Sequence, residues 1–125
     1  LLAILIHKSR ELTNLPVADT FKHFSYIVKK NNVICFGVNN TRKTTTLAHT
    51  WNFKYSLIHS EISAIKRFPL ELENLKRYSI VNIRLNRAGG VMLSKPCKFC
   101  QKLLSHLEFK HVYYSVTENN FIELV

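Results

Sequence analysis

Apolar and polar positions alternate along the chain in ways that divide it into short elements. Leu2, Leu5, Ile6 and Leu12, with Lys8, Arg10 and Glu11 between them, follow helical spacing and predict a helix over residues 2–13. Between Phe24 and Val38 the apolar run breaks at Asn31-Asn32, a turn signal. Phe24 to Val28 and Val33 to Val38 therefore read as the two strands of a hairpin. Residues 39–46 are polar and basic without an apolar period, which predicts a loop. Ile62, Ala64, Ile65 and Phe68 recur as on one face of a helix that starts near His59, and Pro69 ends it.

Tyr78 to Leu85 alternates Ile80, Ile83 and Leu85 with Asn82 and Arg84, predicting a strand that turns at Gly89-Gly90 into a short strand, Val91 to Leu93. Ser94 as N-cap, Pro96 in the first turn and Phe99, Leu103, Leu104 and Leu107 beyond predict a helix over residues 94–107. His111 to Val116 reads as the last strand. This order of helices and strands implies an α/β fold in which helices cover a mixed sheet. No repeat or linker interrupts it, so residues 1–125 are expected to form a single domain.

An apolar fraction of 46% and an aromatic fraction of 11% exclude the compositions that stay disordered. Lys and Arg number 18 against 8 Asp and Glu, a formal charge of +10, so polyanions are natural partners. Three cysteines are a poor basis for a disulfide framework and fit thiol or metal chemistry in a reducing compartment, expected to be the cytoplasm. The run from Leu1 to Ile6 is too short to span a bilayer and lacks the basic leader and cleavage site of a signal peptide. The absence of an initiator Met suggests that residues are missing upstream.

Candidate chemistry concentrates where two of these helices begin. Cys97 and Cys100, at i and i+3, share one side of a helix start, where free amide groups and the helix dipole favour thiolate. With His59 at the other start they make three protein ligands and leave a fourth position open, the coordination of catalytic zinc. Glu61, two residues past His59, is placed to move protons for a water at that position.

His59-Ser60-Glu61 together with Pro96-Cys97-Lys98-Phe99-Cys100 resembles the cytidine deaminase-like superfamily of zinc-dependent nucleobase deaminases, over roughly residues 24–116. The resemblance implies a three-layer α/β/α fold with a five-stranded mixed sheet, zinc held by His59, Cys97 and Cys100, and Glu61 as the proton carrier. It also implies that a backbone carbonyl near Ser94 receives the substrate's amino group. Similar enzymes acting on tRNA adenosine usually have Met before the second cysteine. Phe99, followed by Gln101-Lys102-Leu103, looks closer to the cytosine-directed branches, of the AID/APOBEC or CMP/dCMP deaminase type.

Gly37-Val38-Asn39 resembles the family's Gly-x-Asn, which makes Asn39 a candidate sugar contact. Free cytidine deaminases usually carry a Glu two residues later, and Thr41 stands there instead. Arg42 and Lys43 add cations beside Asn39, and Tyr113 or Tyr114 offers a stacking face; this suits single-stranded DNA or RNA. Strand alternation lets only one tyrosine, taken as Tyr114, face the site. The expected reaction is therefore deamination of cytosine to uracil in single-stranded nucleic acid. Deamination of free cytidine, deoxycytidine or (d)CMP remains open, as does a non-enzymatic interaction protein with a relic metal site.

Blander assignments exist for several of these residues. A Cys-x-x-Cys pair also serves thioredoxin-like redox chemistry, but that leaves His59 and Glu61 without a task. Cys35 reads as a small core residue. His7, His23, His49, His106 and His111 lack ligand spacing and read as solvated or core residues. Trp51 and Phe53 read as core, Arg84 and Arg87 as a solvated strand edge, and Glu71, Glu73, Lys76 and Arg77 as charged surface.

Overall fold

In the computed structural model, which describes residues 1–13, 22–39 and 59–124, the hairpin expected near Asn31 is the first structured pair of strands. Strand β1 (Lys22–Lys29) turns into β2 (Asn32–Val38) through Lys30 and Asn31, whose φ angles of 48° and 65° are both left-handed. Two consecutive positive φ values match the right-handed twist of a hairpin, so the turn sits one residue earlier than the Asn-Asn pair implied. Before it comes helix α1 (Leu2–Leu12), and after it α2 (Ser60–Lys66), a 3₁₀ turn (Leu72–Arg77), β3 (Ser79–Leu85) and β4 (Val91–Met92). Helix α3 (Lys98–His106), β5 (His111–Thr117) and β6 (Asn120–Glu123) complete the order.

Six strands form one mixed sheet in the order β2-β1-β3-β5-β6, with β4 paired to β3. Among the described residues only β3 and β5 run parallel. The extra strand relative to the five expected is β6, whose polar flanks and mostly exposed residues carry no alternation readable beforehand. Both faces of the sheet are covered. On one, Leu5 and Ile6 of α1 pack on Phe24, Tyr26, Val81 and Ile83; on the other, Ile62 and Ile65 of α2 and Leu103 and Leu104 of α3 pack on Ile27 and Ile80. Burial of each such side chain contributes about 1.5–3 kcal/mol, so the three-layer α/β/α arrangement rests on two apolar seams. Among the described residues no helix is long and apolar enough to cross a membrane.

Helix α3 starts later than expected. Cys97 is its N-cap, with Sγ accepting from the Cys100 amide at 3.5 Å, while Pro96 lies before the cap and its carbonyl accepts from Gln101 Nε2 at 2.8 Å. Ser94 is thus not the cap. Its hydroxyl donates to the Asn82 carbonyl at 2.8 Å and accepts from the Ser115 amide at 2.8 Å, bridging β3 and β5. The β3–β5 ladder ends at Asn82–Tyr114, and β4 takes over beside Arg84 and Leu85. A crevice at the carboxyl ends of parallel strands is where α/β sheets place their ligands.

Helix α2 approaches the sheet so closely that only glycine fits beneath it. A Cβ on Gly37 would lie 2.2 Å from the Ala64 nitrogen and 2.6 Å from the Ser60 carbonyl oxygen, both backbone atoms that cannot swing away. Gly37→Ala should therefore destabilise the fold by about 3 kcal/mol or more, beyond ordinary overpacking, because the whole helix must move. Urea denaturation measures this; an unchanged midpoint would mean that α2 does not sit on β2 as described.

Candidate metal centre and active site

Two helix starts, α2 and α3, converge over the crevice beside β3. His59 is the N-cap of α2 and Cys97 that of α3, so the end of each helix delivers its ligands without a long loop. His59 Nδ1 lies 3.8 Å from Cys97 Sγ and 3.7 Å from Cys100 Sγ, and all three ligand atoms fall within 4.8 Å of one another. Tetrahedral zinc with its usual bond lengths separates nitrogen and sulfur ligands by about 3.6 Å, so one imidazole and two thiols are spaced to close around such an ion. Cys100 is fully buried, Cys97 is exposed and His59 is intermediate, which runs the cluster from the core to the surface.

Proton competition within the cluster tells the same story. Hydrogen bonding from Cys100, and then from His59, holds the Cys97 thiol down to about 4 against the cost of burial. The same bond to Cys97, together with burial and Glu61, pushes the Cys100 thiol up. His59 is raised chiefly by its hydrogen bond to Cys97. Three donors crowded this closely share protons unless a divalent cation replaces them. The donor set and its spacing fit Zn²⁺.

Glu61 is only 5% exposed, in the first turn of α2, and both of its oxygens are held. Ser60 Oγ donates to Oε1 at 3.0 Å and Asn82 Nδ2 donates to Oε2 at 3.1 Å. Asn82, 3% exposed in the middle of β3, is in turn fixed by Ser25 Oγ, which donates to its Oδ1 at 2.7 Å and lies 2.8 Å from Ser60 Oγ. Asn82 Nδ2 also stands 3.5 Å from the Ser94 carbonyl oxygen, so that carbonyl and the Glu61 carboxylate flank the same amide. A buried carboxylate with both oxygens engaged keeps one rotamer.

Sequence reasoning missed Asn82, Ser25 and Ser60 as supports of Glu61. Asn82 read as one of the polar residues alternating along β3, yet β3 is buried on both faces. A second missed neighbour is His23, on β1. Burial, Arg84 and His59 push its imidazole down to about 4, so it is neutral near neutral pH.

The remaining expected contacts divide. Asn39 stands just past β2, half-buried, with Oδ1 accepting from the His23 amide at 3.1 Å and its own amide bonded to the His23 carbonyl. Tyr114 pairs in register with Asn82 and is 8% exposed, which leaves little ring surface for stacking. Tyr113 packs with the α1 side of the sheet. Ser94 offers its backbone carbonyl, its side chain being committed to β3 and β5. Arg42, Lys43, Thr41, His49, Trp51 and Phe53 lie outside the described residues. Cys35 donates to the Ala64 carbonyl, and burial pushes its thiol up to about 11, the behaviour of an inert core thiol.

A family model described as the cytidine and deoxycytidylate deaminase zinc-binding region matches residues 5–116. No curated protein matches the chain.

Proposed function

The chain belongs to the cytidine and deoxycytidylate deaminase family, and from that premise we propose that residues 1–125 form one domain that converts cytosine to uracil, acting on single-stranded nucleic acid. The observation that carries the reading is Glu61, a buried carboxylate clamped by Ser60 and Asn82 beside a three-ligand zinc cluster.

His59, Cys97 and Cys100 would hold the ion, whose chemical contribution is to lower the pKa of a water from about 16 toward about 7. Glu61 would take one proton from a water, pass it to the ring nitrogen beside C4, then take the remaining proton from the same oxygen and deliver it to the departing amine. The oxygen bonds to C4, the C4–N bond breaks, and ammonia and uracil result. Asn82 holds Glu61 in the one rotamer that reaches these atoms, and the Ser94 carbonyl accepts a hydrogen bond from the amine before it leaves. Asn39 contacts the sugar, with Arg42 further along the substrate, while Tyr114, buried beside Asn82, is not a stacking platform.

Support for cytosine comes from Phe99 and Gln101-Lys102-Leu103 around the second cysteine, and support for a polymer from the charge of +10. Cytidine, deoxycytidine, their monophosphates, adenosine and single-stranded DNA and RNA are offered side by side and products are read by mass spectrometry. Uracil in the polymers is expected. Turnover of free nucleosides or nucleotides alone would replace the polymer with a small substrate, and inosine would replace cytosine with adenine.

A further inference from the structure

The end of the sheet opposite the metal cluster holds a cavity of about 870 Å³, at the start of β3 and β5. Its rim carries Lys29, Lys30, Lys76, Arg77 and Lys110, and among the described residues no carboxylate lines it. The floor is apolar and aromatic: Val28, Val81 and Tyr113, whose ring lies 5.5 Å from that of His111 at an interplanar angle of 30°. A second cavity of about 950 Å³ shares Lys110 and His111 with the first and runs along α3, where Lys98 and Lys102 line it one helical turn apart. Glu108 and Glu123 are its carboxylates, and Glu123 is engaged by His111. Lys98 directly follows the cluster cysteine Cys97.

Among the described residues none of the seven lysine and arginine side chains along these two cavities is ion-paired with a carboxylate. Lys29 Nζ stands 5.2 Å over the Tyr78 ring, but like charges gathered without carboxylate partners repel one another and cost stability unless an external anion neutralises them. A negatively charged protein segment would supply charge but has no use for a pair of neighbouring aromatic rings in the floor. Cations around exposed rings are the chemistry that holds phosphates and stacks bases. A membrane surface would meet a flat basic face, not two concave ones.

We propose that these cavities form a continuous track for a single strand of nucleic acid, leading from Lys98 at the metal centre along α3 to Tyr113 and the Lys76–Arg77 pair at the far end of the sheet. This deepens the polynucleotide reading above and rests on it only for the direction in which the strand enters the catalytic crevice. Nucleotides outside the reacting one stack on Tyr113 and His111 and place their phosphates on the lysines. A longer strand is then bound more tightly than the reacting nucleotide alone.

Lys76→Glu combined with Arg77→Glu tests this, because both side chains are exposed surface and remote from the cluster. Binding of a fluorescent oligothymidylate long enough to span the track is read by anisotropy across a salt series. The oligomer contains no cytosine, so binding is measured independently of turnover. The double variant should bind about tenfold more weakly, and the slope of log affinity against log salt should shrink by about 1.4, since each lost phosphate contact removes about 0.7. Turnover of deoxycytidine monophosphate should stay at the wild-type level wherever the wild type shows it.

Unchanged binding in the variant overturns the track. Thymidine monophosphate binding as tightly as the oligomer overturns it in favour of a single-nucleotide pocket, and equal competition by polyglutamate shows a surface with no preference for nucleic acid. Weakened binding in a protein that deaminates nothing upholds the track and overturns the catalytic reading alone.

Discussion

Glu61→Gln is expected to lower turnover by about 100- to 10,000-fold, the usual worth of a positioned proton carrier, with zinc content unchanged. The substitution is nearly isosteric. Asn82 Nδ2 can donate to the new amide oxygen as it does to Oε2, and the Ser60 hydroxyl, which now donates at 3.0 Å, can rotate to accept from the new amide nitrogen. Packing in the first turn of α2 therefore survives, and so does the position of His59. What disappears is a group able to take a proton from water and hand it to the base. Turnover, zinc by mass spectrometry and thermal stability are measured together. A variant with wild-type rate would remove Glu61 from the proton pathway, and one that lost zinc would make it a support of the ligands instead.

That pairing of His59 and Glu61 with Cys97 and Cys100 was legible in the sequence because each half is local. A ligand at a helix start needs only the signals that begin the helix, and those lie within a few residues. The helix start itself was displaced: Ser94 looked like a cap because Ser is a common one, whereas the chain spends that hydroxyl on joining β3 to β5 and lets Cys97 cap α3.

The support of Glu61 was illegible for a different reason. Ser25, Ser60 and Asn82 are separated by 35 and 57 positions from their partners and meet only when β1 and β3 pair and α2 lands on them. A polar residue within an alternating strand reads as solvent-facing by default, and burial of β3 from both sides is a tertiary fact. Gly37 is similar. Its identity is visible, but its need to be glycine follows from a helix almost thirty residues later pressing on it. The alternation of Tyr113 and Tyr114 placed them on opposite faces. Which face held the metal centre, and that Tyr113 would floor a cationic cavity, depended on where α1 and α2 docked.

Cys97→Ser and Cys97→Ala should both lose zinc and all turnover, but they should differ in stability, and the difference separates two tasks of one side chain. Cys97 Sγ accepts from the Cys100 amide as the cap of α3 and also stands 3.8 Å from His59 Nδ1 in the ligand cluster. Serine keeps an acceptor at the cap and removes the thiolate, so the metal-free serine variant should melt close to the metal-free wild type. Alanine removes both and should be about 1 kcal/mol less stable than serine. Zinc at a thousand times its dissociation constant should stabilise the wild type by about 4 kcal/mol, since it binds the folded cluster and not the open chain. Neither variant should show that gain, because His59 and Cys100 alone offer two donors where a catalytic site uses three. Thermal melts with and without chelator give all of these differences. Zinc-dependent stabilisation persisting in Cys97→Ser would mean that the ion sits on other donors, and the assignment of His59, Cys97 and Cys100 would fall with it.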